Sequence, residues 1–510
     1  MNETYRKFTN LWTEIRVLEG IEDHLDWDQK VCLSANGYQL RQNQNIVLAG
    51  LLHEKYTSSQ LGEILETLSS DQNLSEEEKR NVALAQKKWK QKAGLTRRQA
   101  ESKAALTARG YEAWLKAKQE ENFSLFAPVL KEWLDWKLEV YSSLYPDADL
   151  YSSAMQEFED GLTTEIVDSC LEPLRIGLPA LIEEFSESYA PFRAFPQPHA
   201  TRSQLDGFFS ALAGSMGFDF DMGRIDTSPH PFTGGAGPTD VRFTVQPGNK
   251  SSFQSLIGAL VHEAGHALYD QGRNSLEPMF MPVNDALGMV IHESQSLLWE
   301  RNVAGEPAFF RHLLPALAEL GFSRDQLSPV ALCRSFNCPK PDFIRVDADE
   351  VTYPMHILIR YDCEKALFNG KITVHELEDF FNTSMKAYLG ITPDRPSMGV
   401  LQDVHWSEGD MGYFPCYTIG AIFGAAMYSA AINDLGSASN FISKQGLLPL
   451  THWLRTNVHE KGSRADAFSL IRNICGAVPD GQFYLSYLRE KYRMLLEAAD
   501  EPEAVKSHLW

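Results

Sequence analysis

Cysteine is scarce in this sequence and scattered where it occurs. Seven lie among 510 residues, at 32, 170, 333, 338, 363, 416 and 475, with no Cys-x-x-Cys pair. Cys333 and Cys338 are the only close pair, and the Arg-Ser-Phe-Asn between them is not a usual zinc spacing. A disulfide scaffold is excluded, and reduced thiols in a reducing compartment are expected. Positive charge is also in deficit, with 47 Lys and Arg against 68 Asp and Glu and a net charge of −21. That balance argues against nucleic acid or an anionic membrane as a partner. Long hydrophobic runs are missing too. The longest, Ile419 to Ile432, is shorter than the roughly 20 residues that span a bilayer and reads as a buried core helix. Its Gly420 and Gly424 leave room for a close helix neighbour. Met1 to Arg6 show no basic-then-apolar leader, so a soluble, cytoplasmic protein is expected.

What is present is mostly helical. Leu11, Ile15, Leu18 and Ile21 recur at helical spacing, as do Leu130, Trp133, Leu134, Trp136 and Leu138. Short breaks at Ser34–Gly37, Ser69–Asn73 and Tyr145–Asp147 separate the helices. The locally basic stretch from Lys79 to Lys118 reads as a solvated helix face with Trp89 and Trp114 turned inward. Between Pro191 and Lys250 prolines and glycines accumulate, and Asp240–Val245 alternates as a short strand. Helices resume at Ser251, and there is no internal repeat or low-complexity tract. The expected organisation is a single catalytic domain over 1–510, with a mostly helical N-terminal lobe (1–215) and a second lobe (216–510) holding the metal site.

The segment Val261-His262-Glu263-Ala-Gly-His266 carries the strongest chemical signal. Residues four apart project from one helix face, so the two imidazoles can bind one Zn²⁺, with Glu263 beside the water it activates. Ser251 and Gln254 form a candidate capping box, and Gly272 is a candidate stop. Phe253, Leu256, Ile257, Leu260, Ala264, Ala267 and Leu268 supply an apolar face. A third ligand is expected on the following helix. Glu293 sits there among Leu287, Val290, Ile291, Ser294 and Leu298, where a buried acid is costly unless paired or metal-bound. His292 is the alternative, but a His₂Glu set with an open position is the catalytic zinc arrangement.

Two further segments hold candidate substrate groups. In Ile344–Tyr353, Arg345 stands among Asp347, Asp349 and Glu350, which reads either as an ion-pair cluster or as a guanidinium held ready for a carboxylate. Gly399 to Tyr417 is punctuated by glycine and carries His405, Tyr413 and Tyr417. Such a loop suits donors aimed at a developing oxyanion, or is simply a turn-rich connector with a core tryptophan.

Asp240-Val-Arg242-Phe-Thr244, His262-Glu263-Ala-Gly-His266, His292-Glu293-Ser-Gln, Ile344-Arg345-Val-Asp-Ala-Asp349 and Gly399-Val-Leu-Gln-Asp403-Val-His405-Trp406 occur in that order. The ordered set, with His230-Pro-Phe before it and Gly412-Tyr-Phe-Pro after it, resembles the zinc carboxypeptidase family typified by carboxypeptidase Taq. The resemblance spans essentially the whole chain. It weakens at Asp26–Gln29, where relatives continue into a Pro-Gly-rich turn and this chain reads Lys30-Val-Cys-Leu-Ser-Ala-Asn-Gly37. It implies a mainly α, two-lobed gluzincin-type peptidase with a deep groove and a small β-sheet beside the zinc helix. It further implies a homodimer that releases single C-terminal residues from peptides with broad preference, using one Zn²⁺ per chain for which Co²⁺ can substitute. Carried over, His262, His266 and Glu293 bind the metal and Glu263 is the general base. Arg242 and Arg345 are candidates for the substrate carboxylate, and His405, Tyr413 and Tyr417 for the tetrahedral intermediate. The alternatives are a helical oligopeptidase that cuts internally and a catalytically silent peptide-binding protein.

Overall fold

The computed structural model describes residues 3–228, 230–246, 252–273 and 278–499. Helices follow one another from Glu3–Val31 to Arg202–Met216, and the three expected breaks fall between them. Capping boxes start several, including Ser75 with Glu78 and Thr96 with Gln99, where side chains satisfy amides that have no partner within the helix. In the first helix the buried face is Tyr5, Phe8, Trp12 and Ile15, packed on Leu48, Leu52, Tyr56 and Leu65. Leu11 and Leu18 lie at its margin, while Ile21 is exposed. The three aromatics bury more area than the aliphatics, so they set which face turns inward. Trp114 is buried and donates to the Leu401 carbonyl, and Trp89 packs on the core, as their inward reading requires.

The Pro/Gly-rich region contains a small sheet of order β1-β3-β2, with β1 Gly223–Thr227, β2 Thr233–Gly237 and β3 Asp240–Val245. β3 matches the strand expected from alternation; it pairs parallel with β1 and antiparallel with β2. A register shift between Gly235 and Gly237 in β2 puts both at positive φ, 125° and 151°, which glycine tolerates. β3 lies against the Phe253–Gln271 helix.

The chain forms two compact units. The first gathers the chain up to Leu95, His199–Leu287 and Ala431–Leu470; the second gathers Thr96–Pro198, Gly288–Ala430 and the chain from Ile471. The stretches interleave, so a linear division at 215/216 coincides with the border of neither unit. The apolar run expected as a core helix extends to Pro415–Leu435, long and apolar enough to cross a membrane by length and composition, and 78% of its most apolar window is buried inside the fold. All seven cysteines are free thiols.

Candidate metal centre

The Phe253–Gln271 helix starts at Ser252, whose side chain accepts from the Ser255 amide at 3.1 Å, and stops at Gly272. Ser251, the residue expected to cap it, lies outside the described residues. All seven residues of the expected apolar face are buried. The His262 and His266 ring centroids are 4.9 Å apart. Glu263 between them is only 8% exposed. Its partner comes from β2: the Thr233 hydroxyl lies 2.7 Å from Glu263 Oε2 and 3.0 Å from its carbonyl oxygen. Nothing in the sequence pointed to Thr233, because Thr-Gly-Gly-Ala-Gly has neither alternation nor a β-branched run.

Glu293 is carried on the Met289–Leu297 helix and is 3% exposed, so a solvent-facing role is excluded. The helix is fixed at its start and along its side. At its start the Val290 amide donates to Glu159 Oε2 at 2.9 Å, a buried carboxylate at the positive end of the helix dipole. A Cβ at Gly288 would stand 2.5 Å from that same oxygen, so a larger residue there would have to displace the Glu159 carboxylate. Along its side lies the Pro415–Leu435 helix. A Cβ at Gly420 would stand 3.1 Å from Glu293 Cβ, and one at Gly424 would stand 2.9 Å from the Ser294 carbonyl oxygen. The small residues expected to admit a neighbour therefore admit the segment that carries Glu293.

The candidate ligand atoms of His262, His266 and Glu293 all lie within 4.8 Å of one another. His292 is not in this group. Two imidazoles and one carboxylate are the donor types and number of a catalytic divalent-metal site. A carboxylate this buried fits such an ion, because a buried charge needs a counter-charge or dedicated donors. The residues present thus fit a metal.

Arg345 is 5% exposed, but its partner is none of the three acids beside it in sequence. Its Nε donates to Asp403 Oδ1 at 2.9 Å and its Nη1 to the Tyr353 hydroxyl at 3.0 Å, and its guanidinium lies 4.8 Å from the Tyr417 ring centroid. Arg345 is ion-paired, but with an acid 58 residues along the chain and not with its sequence neighbours. Asp349 instead accepts from the Val351 and Thr352 amides, and Glu350 binds Lys491 and the Tyr487 hydroxyl. Asp403 also takes Arg360, which is 1% exposed, through Nε at 2.6 Å. Burial alone would raise the Asp403 carboxyl; Arg345 and Arg360 overcome it and hold it far below the usual carboxylate range.

His405 sits next to this cluster, its Nε2 3.2 Å from the Tyr417 hydroxyl and its ring 5.3 Å from that of Tyr413. Burial, with Arg345 beside it, pulls His405 down to about 3, so the ring is neutral at ordinary pH. Burial also pushes the Tyr413 and Tyr417 phenols well up, and the Glu293 carboxylate adds to this in both cases. Both tyrosines are therefore protonated donors in the electrostatic neighbourhood of Glu293. Arg242, on β3, is engaged differently: its Nε and Nη2 bind both oxygens of Asp240, at 2.8 and 2.9 Å.

A helical fold whose paired imidazoles and buried carboxylate converge, with an acid between the imidazoles, defines a metallopeptidase class. Residues 7–492 match the family described as Carboxypeptidase Taq (M32) metallopeptidase, and the chain belongs to that family. It is 31% identical to Carboxypeptidase 1 of Bacillus subtilis, covering 92% of this chain and 94% of that protein. It is 30% identical to Thermostable carboxypeptidase 1 of Thermus thermophilus, over 96% of this chain and 98% of that one. Among solved structures, the M32 carboxypeptidase from Deinococcus radiodurans superposes with a TM-score of 0.90 at 29% identity, covering 98% of this chain and all of that one. Metallocarboxypeptidase 1 of Trypanosoma cruzi superposes with a TM-score of 0.92 at 27% identity, covering 96% of this chain and 99% of that one. The mainly α fold with its small sheet is that of these carboxypeptidases.

Proposed function

We propose that this metallocarboxypeptidase removes single residues from the free C-termini of peptides with broad preference, using one Zn²⁺ per chain, for which Co²⁺ can substitute. The observation that carries the reading is the convergence of His262, His266 and Glu293 with Glu263 placed between the two imidazoles. His262, His266 and Glu293 would hold the ion. The bound ion supplies Lewis-acid activation of the water and of the scissile carbonyl. Glu263, steadied by the Thr233 hydroxyl, takes the proton of the attacking water and passes it to the leaving amine. His405, Tyr413 and Tyr417 donate to the developing oxyanion; each is uncharged, so none loses an ion pair in doing so. Arg345 binds the substrate carboxylate, held rigid by Asp403 and Tyr353, and Arg242 is the second candidate for that task. We further propose that the protein works on peptides in the cytoplasm, as a homodimer and a single catalytic domain, without nucleic-acid or membrane partners.

The test uses matched peptides with free and amidated C-termini. A guanidinium on a terminal carboxylate makes charge-assisted hydrogen bonds worth roughly 1.5–3 kcal/mol, so amidation should slow cleavage by at least about tenfold. Chelation should abolish cleavage, and Zn²⁺ or Co²⁺ should restore it. Equal rates on both peptides with internal cuts would assign the chain to the oligopeptidases. Full activity after exhaustive chelation would remove the metal from the reaction.

A further inference from the structure

Glu364 is fully buried on the Tyr353–Phe368 helix and plays no part in the reaction above. Its carboxylate takes three donors. Trp406 Nε1 donates to Oε1 at 2.6 Å, while the Tyr151 hydroxyl and the Gly412 amide donate to Oε2 at 2.7 and 2.8 Å. Trp406 directly follows His405, and Gly412 directly precedes Tyr413. The two oxygens of one carboxylate thus hold both ends of the loop that carries the proposed oxyanion donors.

The rest of the loop is pressed into place against its own unit. Gly409 and Gly412 both have positive φ, 82° and 98°. A Cβ at Gly409 would stand 2.7 Å from the Trp133 ring, and one at Gly412 would stand 2.7 Å from the backbone of Ala154 and Met155. Trp133 Nε1 in turn donates to the Ser407 carbonyl at 3.2 Å. Burial pushes the Glu364 carboxyl up to about 7, although Trp406, Tyr151, Gly412 and Lys137 all pull it down. A group this costly to bury, fully supplied with donors, has a role in organising what it binds.

We propose that Glu364 is a positioning residue for catalysis, setting the placement of His405 and Tyr413 through the Trp406 and Gly412 hydrogen bonds. The inference rests on the reading that this loop stabilises the oxyanion. Glutamine is nearly the same size but cannot replace it. If the amide oxygen takes Tyr151 and Gly412, the NH₂ faces the Trp406 N–H; if it takes Trp406, the NH₂ faces the Gly412 N–H. Either way one end of the loop meets a donor in place of an acceptor.

The test is a cycle on the metal-loaded enzyme, made of wild type, Glu364→Gln, His405→Ala and the double variant, with kcat, KM and metal content measured for each. Glu364→Gln should lower kcat by about ten- to a hundredfold, the scale of an ångström-size misplacement, with KM and metal content within about twofold of wild type. In the His405→Ala background the same change should cost at least about threefold less than it does in the wild type, because one of the two donors it positions is already gone. Trp406→Phe removes one of the three donors and should give a smaller loss of the same kind, and it reports on the idea if Glu364→Gln does not fold. Equal losses in both backgrounds, an unchanged kcat, or a loss that tracks metal content would overturn the proposal. Should His405→Ala itself leave kcat unchanged, the oxyanion role of the loop fails instead.

Discussion

Replacing Asp403 by asparagine removes one negative charge from a site where it faces two buried guanidiniums. Arg345 is 5% and Arg360 1% exposed, and each donates to a different oxygen of the carboxylate, at 2.9 and 2.6 Å. Asparagine keeps the shape, but its NH₂ turns a donor toward one of the two arginines. Breaking a buried ion pair by neutralising one partner costs about 3–5 kcal/mol, mainly because the remaining charge is left uncompensated. With unfolding entropy near 2 cal/mol/K per residue, a chain of 510 residues moves by about 1 °C per kcal/mol, so the unfolding midpoint should drop by roughly 3–5 °C.

Calorimetry on the metal-saturated protein reads this directly. Asp347→Asn is the control: Asp347 is exposed and only two residues from Arg345, so its loss should cost less than about 0.5 kcal/mol. The sign with pH is also fixed. Asp403 titrates far below its unfolded value, so its contribution is present above about pH 4 and is lost only as pH falls through the folded value. The gap between wild type and Asp403→Asn should therefore be constant between about pH 5 and 8. A midpoint within about 1 °C of wild type, or a larger effect from Asp347→Asn, would refute the assignment of Arg345 to Asp403.

Two other outcomes follow from the same geometry. Glu263→Gln should retain the metal and lose roughly three or more orders of magnitude in kcat, since it removes a proton acceptor and no ligand, whereas His262→Ala should lose metal as well; metal analysis beside turnover checks both, and near-wild-type turnover in Glu263→Gln would require another base. Glu364, raised to about 7 in the fold, holds an extra proton there between its unfolded and folded values, so wild-type stability relative to Glu364→Gln should decline as pH rises from about 4.5 to about 7 and then level; a midpoint difference that is flat across that window contradicts this.

The histidine pair of the candidate metal site is legible in the sequence because its geometry is local, whereas Glu293 comes from a separate helix. Two histidines one turn apart share a face in any α-helix, and β3 alternates over its first four residues, where Val241 and Phe243 are buried and Asp240 and Arg242 are partly exposed. Gly420 and Gly424 were recognisable as a contact surface, though not which segment they meet. The remaining features depend on distant partners. β1 and β2 were missed because Gly223–Thr227 and Thr233–Gly237 are half-buried, and β2 is rich in glycine, so neither shows the alternation of a strand with one wet face. Thr233 reaches Glu263 from such a strand. Arg345 pairs with Asp403, 58 residues away, while the acids beside it serve a turn and a lysine from the last helix. In irregular segments, closeness along the chain says little about which charges meet.

The second unit shows how the motif residues are kept in place by residues outside the motifs. Glu159 caps the helix of Glu293, Glu364 holds the ends of the His405–Tyr413 loop, and Lys137 is buried 2.8 Å from Glu157 in the turn after Leu150–Met155. None of these belongs to a recognisable pattern, because a supporting carboxylate needs only to meet the right donors and any chain position that reaches them will serve. Each is costly to bury alone, and each has donors or a counter-charge that offset the cost. Asp403 is the exception that does both, standing within the Gly399–Trp406 motif while holding Arg345 of another. Substitution of such a residue is expected to act through the placement of its neighbour, so the stability of Asp403→Asn and the kcat of Glu364→Gln probe the same principle at two points of one unit.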